Sequence, residues 1–192
     1  MDSKNPSGAN TRAEVYDWIQ CIIFALVFCV LLFVFGARMV NVVGHSMVPT
    51  LEQNDKVIIS NLFYHPKQGD IVVLRKQTLM DEPIVKRIIA TEGQTVDIDF
   101  NLGQVYVDGE LLDEDYINDY TYREEGTVFP LTVPEGEVFL MGDNRNHSND
   151  SRDSSLGTVD TRLLIGKAVF LVFPGRDYLT EQREFGRIGL LQ

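Results

Sequence analysis

Cysteine is missing from the whole chain after residue 38. The two cysteines of the sequence, Cys21 and Cys29, both lie in one long apolar run near the N-terminus. On a helix they would be about 12 Å apart along the axis, too far for a disulfide. This absence excludes a disulfide scaffold, a cysteine nucleophile and a thiolate metal site from the larger part of the chain.

Positive charge is also scarce. The sequence has 17 lysines and arginines against 28 aspartates and glutamates, which gives a formal net charge of -11 at pH 7. Binding to the phosphates of a nucleic acid requires a basic face. The composition therefore argues against a nucleic acid as partner.

The acidic residues are densest in residues 108–125, DGELLDEDYINDYTYREE, which we call the acidic segment. Its spacing does not match a calcium-binding loop, so we expect no metal site there. We interpret it as a solvated excursion from a sheet. Nothing in the rest of the sequence requires a metal or a cofactor.

Charged residues are absent from residues 19–37, IQCIIFALVFCVLLFVFGA. As a helix this run spans about 28 Å, close to the roughly 30 Å hydrocarbon core of a bilayer. A cleaved signal peptide is an alternative, but the long run and its long lead favour an uncleaved anchor. We expect an N-terminal tail over residues 1–18, a transmembrane anchor over 19–37 and a domain over 38–192. The flanking charges do not decide the orientation.

Sustained helical periodicity is lacking after residue 39. Short apolar runs with Val and Ile at alternate positions, bounded by turn residues, predict strands instead. An Asp-Gly pair at residues 108 and 109 predicts a tight hairpin. The predicted fold class is mostly β, a single N-terminal transmembrane helix followed by a mainly antiparallel β catalytic domain. The predicted strands are KVIIS, DIVVLR, IVKRIIA, TVDIDF, QVYVDGELL, EVFLMGDN and GKAVFLVF.

Two residues are candidates for nucleophilic catalysis. Ser46 lies in GHSMVPTL, where a serine before a Pro-Thr turn has no special meaning by itself. Lys86 lies in PIVKRII, where strand alternation places Lys86 and Arg87 on opposite faces, so that one of them must face an apolar side. A buried lysine has a lowered pKa and can act as the general base for a serine. The alternative is a surface lysine on an edge strand.

Two further stretches support a catalytic reading. Gly44 allows a substrate backbone or a developing oxyanion to approach the peptide N–H groups around Ser46. Residues 142–154, GDNRNHSNDSRDS, are too polar for a core element. Within them acids and arginines can tie the loop together, and Ser148 can orient an amine.

In order along the chain, SMVPTL, GDIVVL, VKRIIATEGQTV and GDNRNHSNDSR resemble the sequence boxes of type I signal peptidases, bacterial Ser/Lys proteases. The short chain with one anchor resembles the Gram-positive form. The resemblance implies Ser46 as nucleophile and Lys86 as general base. Its implied supporting residues are Ser148, bonded to the lysine amine, with the pairs Asp143–Arg87 and Asp150–Arg152. Some members have a serine where Gly44 stands, so here backbone N–H groups would hold the oxyanion.

The same resemblance implies the substrate and the location. Signal peptides of exported preproteins would be cut after small residues of the Ala-X-Ala type, through an acyl-enzyme. The domain would lie outside the cytoplasm, with the N-terminus inside, at the lipid bilayer and near the secretion translocon. An apolar face would accept the small residues, and its candidates are Val40, Val42, Met47, Leu51 and Val85.

Other functions remain open at this stage. A self-cleaving repressor of the Ser/Lys type would need a DNA-binding domain and an Ala-Gly or Cys-Gly pair, and the sequence contains neither pair. A peptidase specialised for conjugation or pilus assembly would differ only in its substrate. A Ser-His-Asp hydrolase would use His65 or His147, since His45 is a poor base for its neighbour Ser46. A non-enzymatic adaptor would have lost a catalytic residue, and none is missing.

Overall fold

In the computed structural model of the chain, the described residues are 7–75, 83–177 and 180–191. The chain divides into two units, Met1–Ala37 and Arg38–Gln192. The first unit contains one helix, α1 (Ser7–Phe35), whose side chains over residues 14–30 are all exposed. The predicted N-terminal tail lies outside the described residues over its first part, residues 1–6.

Among the described residues, no helix combines the length and the apolar character needed to cross a bilayer. The anchor predicted over residues 19–37 stays a prediction.

The second unit is built from short strands. Every strand pairing in its described part is antiparallel, which confirms the predicted mainly antiparallel β class. The strands are β1 (Arg38–Asn41), β2 (Lys56–Ser60), β3 (Ile71–Leu74), β4 (Ile84–Thr91), β5 (Thr95–Asp99), β6 (Gln104–Val107), β7 (Glu110–Leu111), β8 (Leu131–Thr132), β9 (Glu137–Met141), β10 (Val159–Asp160), β11 (Leu164–Phe173) and β12 (Gly189–Leu190).

These strands form two sheets. The large sheet has the order β1-β2-β11-β3-β4-β9-β10, with β12 paired to β11, and the small sheet has the order β7-β6-β5-β8. Each of the seven runs predicted from the sequence contains a strand. The predicted hairpin joins β6 to β7, where Asp108 and Gly109 have φ angles of 55° and 84°. Positive φ at both central residues is what a tight hairpin turn requires.

The core of the second unit consists of three apolar clusters. One lies beneath the turn that follows β1 and joins residues of that turn to β2, β3, β4 and β11. A second fills the space under the small sheet, and a third covers the other part of the large sheet. The first cluster matters most for function, because it holds the turn after β1 against β4.

Candidate active site

Ser46 lies on the turn that follows β1. Gly44 begins this turn with a φ of 85°, a left-handed conformation that glycine adopts without a steric cost. The turn is closed by a hydrogen bond from the Leu51 N–H to the Met47 carbonyl, 2.9 Å long. The side chains of Met47 and Leu51 are buried in the first core cluster. Ser46 itself is half-buried.

Lys86 lies on β4, between β3 and β9 in the large sheet. Its side chain is 2 % exposed, and its Nζ donates a 2.6 Å hydrogen bond to Ser46 Oγ. Arg87, on the other face of the strand, is also buried. The alternation of side chains along a strand predicts that either Lys86 or Arg87 faces the interior, and in the structure both are buried.

Burial determines the ionisation of this lysine. Removal from water lowers the pKa of Lys86 from 10.5 to about 8, because desolvation penalises the charged form, and the Asp150 carboxylate opposes part of this effect. About a tenth of the Lys86 amines are therefore neutral at pH 7. A neutral amine 2.6 Å from a serine hydroxyl can accept the hydroxyl proton.

Arg87 forms a two-point ion pair with Asp143. Its Nε donates to Oδ1 over 2.9 Å and its Nη2 donates to Oδ2 over 2.8 Å, with both side chains buried. Asp143 Oδ2 also accepts a 2.5 Å hydrogen bond from the Thr50 hydroxyl at the end of the serine turn. The carboxylate thus joins β4, the loop after β9 and the serine turn.

The loop after β9 also holds the backbone of the serine turn. The Asn144 N–H donates a 3.0 Å hydrogen bond to the Ser46 carbonyl, and Asn144 Nδ2 donates one of the same length to the His45 carbonyl. Gly142 lies so close to this turn that a Cβ atom there would collide with the Ser46 carbonyl oxygen and with Ser148. The loop and the turn are therefore packed backbone against backbone.

Asp150 and Arg152 form a second buried pair in this loop. Arg152 Nε and Nη2 donate to the two carboxylate oxygens, each over 2.8 Å, and the Gly142 N–H donates to Asp150 Oδ2 over 2.9 Å. Burial alone would raise the pKa of the Asp150 carboxyl, but these donors hold it below its usual value. Asp150 is therefore a fixed negative charge in the surroundings of Lys86.

Ser148 does not make the bond expected from the resemblance. Its side chain is buried beside Gly142, and its hydroxyl forms no hydrogen bond of ordinary geometry with the described residues, Lys86 included. The hydroxyl lies near the Asp150 carboxylate and helps to stabilise its charge. In this structure the Lys86 amine donates to Ser46 instead.

The five predicted substrate-binding residues all belong to, or pack against, the first core cluster. Val40 is half-buried and retains surface that a ligand can touch. The other four have almost none, because core packing covers them. The substrate-binding role of these residues stays a prediction, with the following exposures: Val42 2 %, Met47 1 %, Leu51 0 % and Val85 3 %.

Sequence reasoning missed the residues that the acidic segment brings to the site. Arg145 is fully buried and pairs with Glu114, which is 7 % exposed, and the Tyr116 ring lies on Arg87. The interpretation of this segment as a solvated excursion is wrong at these positions. The alternation of apolar residues along strands cannot identify these buried positions, because the segment has no regular secondary structure between β7 and β8.

A metal ion and a histidine base are the two other kinds of catalytic group to compare with Lys86. No group of three or more His, Cys, Asp or Glu side chains could hold a metal ion in the part of the chain that the structure describes. His65 and His147 are both exposed, whereas the hydrogen bond to Ser46 Oγ comes from the buried Lys86.

Comparison with known proteins identifies related chains. The model of the family described as signal peptidase, peptidase S26, matches residues 15–173. The probable signal peptidase I-1 of Synechocystis is 39 % identical over 166 residues, 81 % of each chain. Signal peptidase I S of Bacillus subtilis is 32 % identical over 187 residues, 91 % of this chain and 96 % of that one.

A solved structure of a signal peptidase I from Enterococcus faecalis V583 is 30 % identical, has a TM-score of 0.44 and covers 54 % of this chain and 97 % of its own. The match to the family model and the identity to these relatives extend over most of the chain. The chain therefore belongs to the signal peptidase family, peptidase S26, and is a serine endopeptidase of the signal peptidase I type.

Proposed function

We propose that this protein removes N-terminal signal peptides from exported preproteins, cutting after small residues of the Ala-X-Ala type. Ser46 is the nucleophile and Lys86 is the general base. The observation that carries the proposal is the 2.6 Å separation between Lys86 Nζ and Ser46 Oγ, made by a lysine whose pKa burial lowers to about 8.

The reaction is acyl transfer in two halves. Neutral Lys86 takes the Ser46 proton while Oγ attacks the scissile carbonyl carbon, and backbone N–H groups around Ser46 stabilise the oxyanion. The C–N bond then breaks, and the lysine ammonium gives its proton to the leaving amine. Water next attacks the ester, with Lys86 again accepting a proton, and Ser46 regains its hydrogen when the signal peptide leaves.

The two buried ion pairs serve this reaction by keeping its parts in place. Arg87–Asp143 ties β4 to the serine turn through Thr50, and Asp150–Arg152 shapes the loop whose Asn144 bonds to the Ser46 carbonyl. Accurate placement of reacting groups is worth a large part of an enzymatic rate, and small displacements are costly.

The direct test uses a full-length preprotein with an Ala-X-Ala site and the full enzyme in detergent. We expect wild type to cut after the second Ala, and Ser46→Ala and Lys86→Ala to be inactive. Ser155→Ala and Lys56→Ala are the matched controls, because both side chains are exposed, and both should retain wild-type rates. Activity in Lys86→Ala would refute the dyad, and inert wild type would refute the substrate assignment.

We also propose that helix α1 anchors the protein in the membrane, with the N-terminus cytoplasmic and the catalytic unit outside, near the secretion translocon. The support is chemical. Residues 19–37 carry no charge, and large apolar side chains on several sides of the helix are exposed, among them Ile22, Phe24 and Phe28. A helix that is apolar all round requires an apolar environment.

A further inference from the structure

The acidic segment, residues 108–125, has no part in the mechanism above. Most of its side chains face solvent, but Glu114 and Thr121 are turned inward toward one arginine, and the Tyr116 ring covers another. These two arginines are Arg145, in the loop after β9, and Arg87, the neighbour of Lys86 on β4.

Arg145 is the more deeply buried of the two arginines. Its guanidinium is fully buried, with Nη1 2.9 Å from Glu114 Oε2 and Nη2 2.5 Å from Glu114 Oε1. Nη1 also donates a 3.0 Å hydrogen bond to the Thr121 hydroxyl. The remaining donor, Nε, bonds to the Gly142 carbonyl over 3.1 Å. Arg145 therefore connects the acidic segment to the start of the loop that packs on the serine turn.

Tyr116 lies against both arginines. Its ring centroid is 3.9 Å from Arg87 Cζ and 5.9 Å from Arg145 Cζ, and its hydroxyl donates a 3.2 Å hydrogen bond to Glu114. A guanidinium over an aromatic face is attracted to it and is also held in one plane. Burial raises the pKa of the Tyr116 phenol, so the ring stays uncharged at ordinary pH.

Each arginine is adjacent in sequence to a residue of the proposed dyad or to a residue that bonds to it. Arg87 follows Lys86 on β4 and holds Asp143, which accepts the Thr50 hydroxyl at the end of the serine turn. Arg145 follows Asn144, whose N–H donates to the Ser46 carbonyl. A contact that fixes both guanidiniums at once therefore bears on the position of both Lys86 and Ser46.

We propose that Glu114 and Tyr116 are positioning residues for the Ser46–Lys86 dyad, acting through Arg145 and Arg87. The inference rests on the proposed function, because it assigns a role only if these two residues carry out the cleavage. The acidic segment then holds β4 and the loop after β9 in place through these two arginines.

The test compares four variants of the full chain in detergent on the same preprotein. Tyr116→Leu removes the aromatic face, Tyr116→Phe keeps it, and Glu114→Gln removes the charge that pairs with Arg145. Tyr106→Leu is the matched control, since Tyr106 is also half-buried, lies on β6 of the small sheet and bonds through its hydroxyl to Gln104. Thermal unfolding of each variant verifies that it is folded at the assay temperature.

We expect kcat of Tyr116→Leu and Glu114→Gln to fall by roughly tenfold or more, because a displacement of about 1 Å at reacting groups can slow the chemical step a hundredfold. KM should stay within about twofold, since neither side chain is proposed to touch substrate. Tyr116→Phe should restore kcat to near the wild-type value, and Tyr106→Leu should leave kcat unchanged.

The inference is overturned if folded Tyr116→Leu keeps wild-type kcat, if it loses no more than Tyr106→Leu, or if the loss lies in KM alone. A kcat of Tyr116→Phe as low as that of Tyr116→Leu would also contradict it, because the ring face would then not be the part that matters. Failure of the proposed function is recognised separately, by an inactive wild type or by active Ser46→Ala and Lys86→Ala enzymes.

Discussion

In the proposed mechanism a single side chain, Lys86, sets the pH range of the reaction. The amine must be neutral to accept the serine proton, and burial, with a smaller contribution from the Arg152 cation, lowers its pKa toward neutral pH. Burial that disfavours the charged amine would then favour catalysis, as in other active sites where the surroundings shift a pKa.

The pKa of Lys86 therefore predicts a pH profile. Because the neutral form is the active one, kcat/KM should rise with pH and level off above about 8, well below the ordinary lysine value of 10.5. Initial rates on a preprotein at constant ionic strength measure this limb. An acidic limb near 6.5, the range of an ordinary histidine, would exclude Lys86 as the base.

At the same scale, the buried Asp143 carboxylate compensates the charge of Arg87. We expect Asp143→Asn to lower the free energy of unfolding by about 3–5 kcal/mol, because it leaves a buried guanidinium without its counter-charge. Thermal unfolding midpoints give the comparison. Asp160→Asn is the control, since its partner Arg162 is largely exposed, and it should not shift the midpoint. Equal midpoints for both variants would contradict the argument.

At the scale of elements, the site depends on the close approach of the loop after β9 to the turn after β1. Gly142 is the point of closest contact, and this contact needs a residue without a Cβ atom. The sequence places a glycine there but gives no indication of what it approaches, because the two segments are far apart along the chain.

The replacement Gly142→Ala should accordingly separate the loop from the serine turn. We expect kcat/KM to fall by about a hundredfold or more, because the new methyl group displaces the Ser46 carbonyl and so moves the nucleophile. Gly186→Ala is the control, since a Cβ atom at Gly186 meets nothing within 4 Å. Cleavage rates and unfolding midpoints of both variants are the measurements. Normal activity of the Gly142→Ala enzyme would show that the loop and the turn can accommodate a methyl group without moving Ser46.

Most of the strands and the hairpin could be predicted from the sequence. Alternating Val and Ile residues identified the strands, because each has one face in a core, and the Asp-Gly pair identified the hairpin. The strands β1, β8, β10 and β12 lie outside the seven predicted runs, and the last three have only two residues each, too few to show a periodicity. Within the site, the pairs Arg87–Asp143 and Asp150–Arg152 were named from the resemblance and are hydrogen-bonded in the structure. Their catalytic roles stay predictions.

Contacts between distant segments were beyond the reach of the sequence. Nothing in the pattern around Glu114 or Tyr116 distinguishes them from the exposed acids beside them, and their partners lie about 30 residues away. Ser148 illustrates the opposite error, because a residue placed in the right loop does not make the expected bond to Lys86. Side-chain partners depend on sheet order and loop path, which local patterns do not encode.

At the scale of the whole molecule, the proposed anchor predicts how the protein partitions. If α1 lies in the bilayer, the full chain should stay with the membrane pellet after extraction at alkaline pH, which removes proteins held only by charge. Sedimentation followed by detection of the chain measures this, with a known integral and a known peripheral protein as controls. Release of the chain into the supernatant would refute the anchor.

The bond between Asn144 and the carbonyl of His45 joins residues 99 positions apart, and this fixes the order of events during synthesis. A ribosome adding about 5–20 residues per second needs on the order of 5–20 s to make the intervening chain. For that interval the emerging polypeptide carries the proposed nucleophile, Ser46, without the loop that bonds to its turn. On the proposed mechanism, proteolytic competence therefore arises only after the loop that follows β9 has been synthesised.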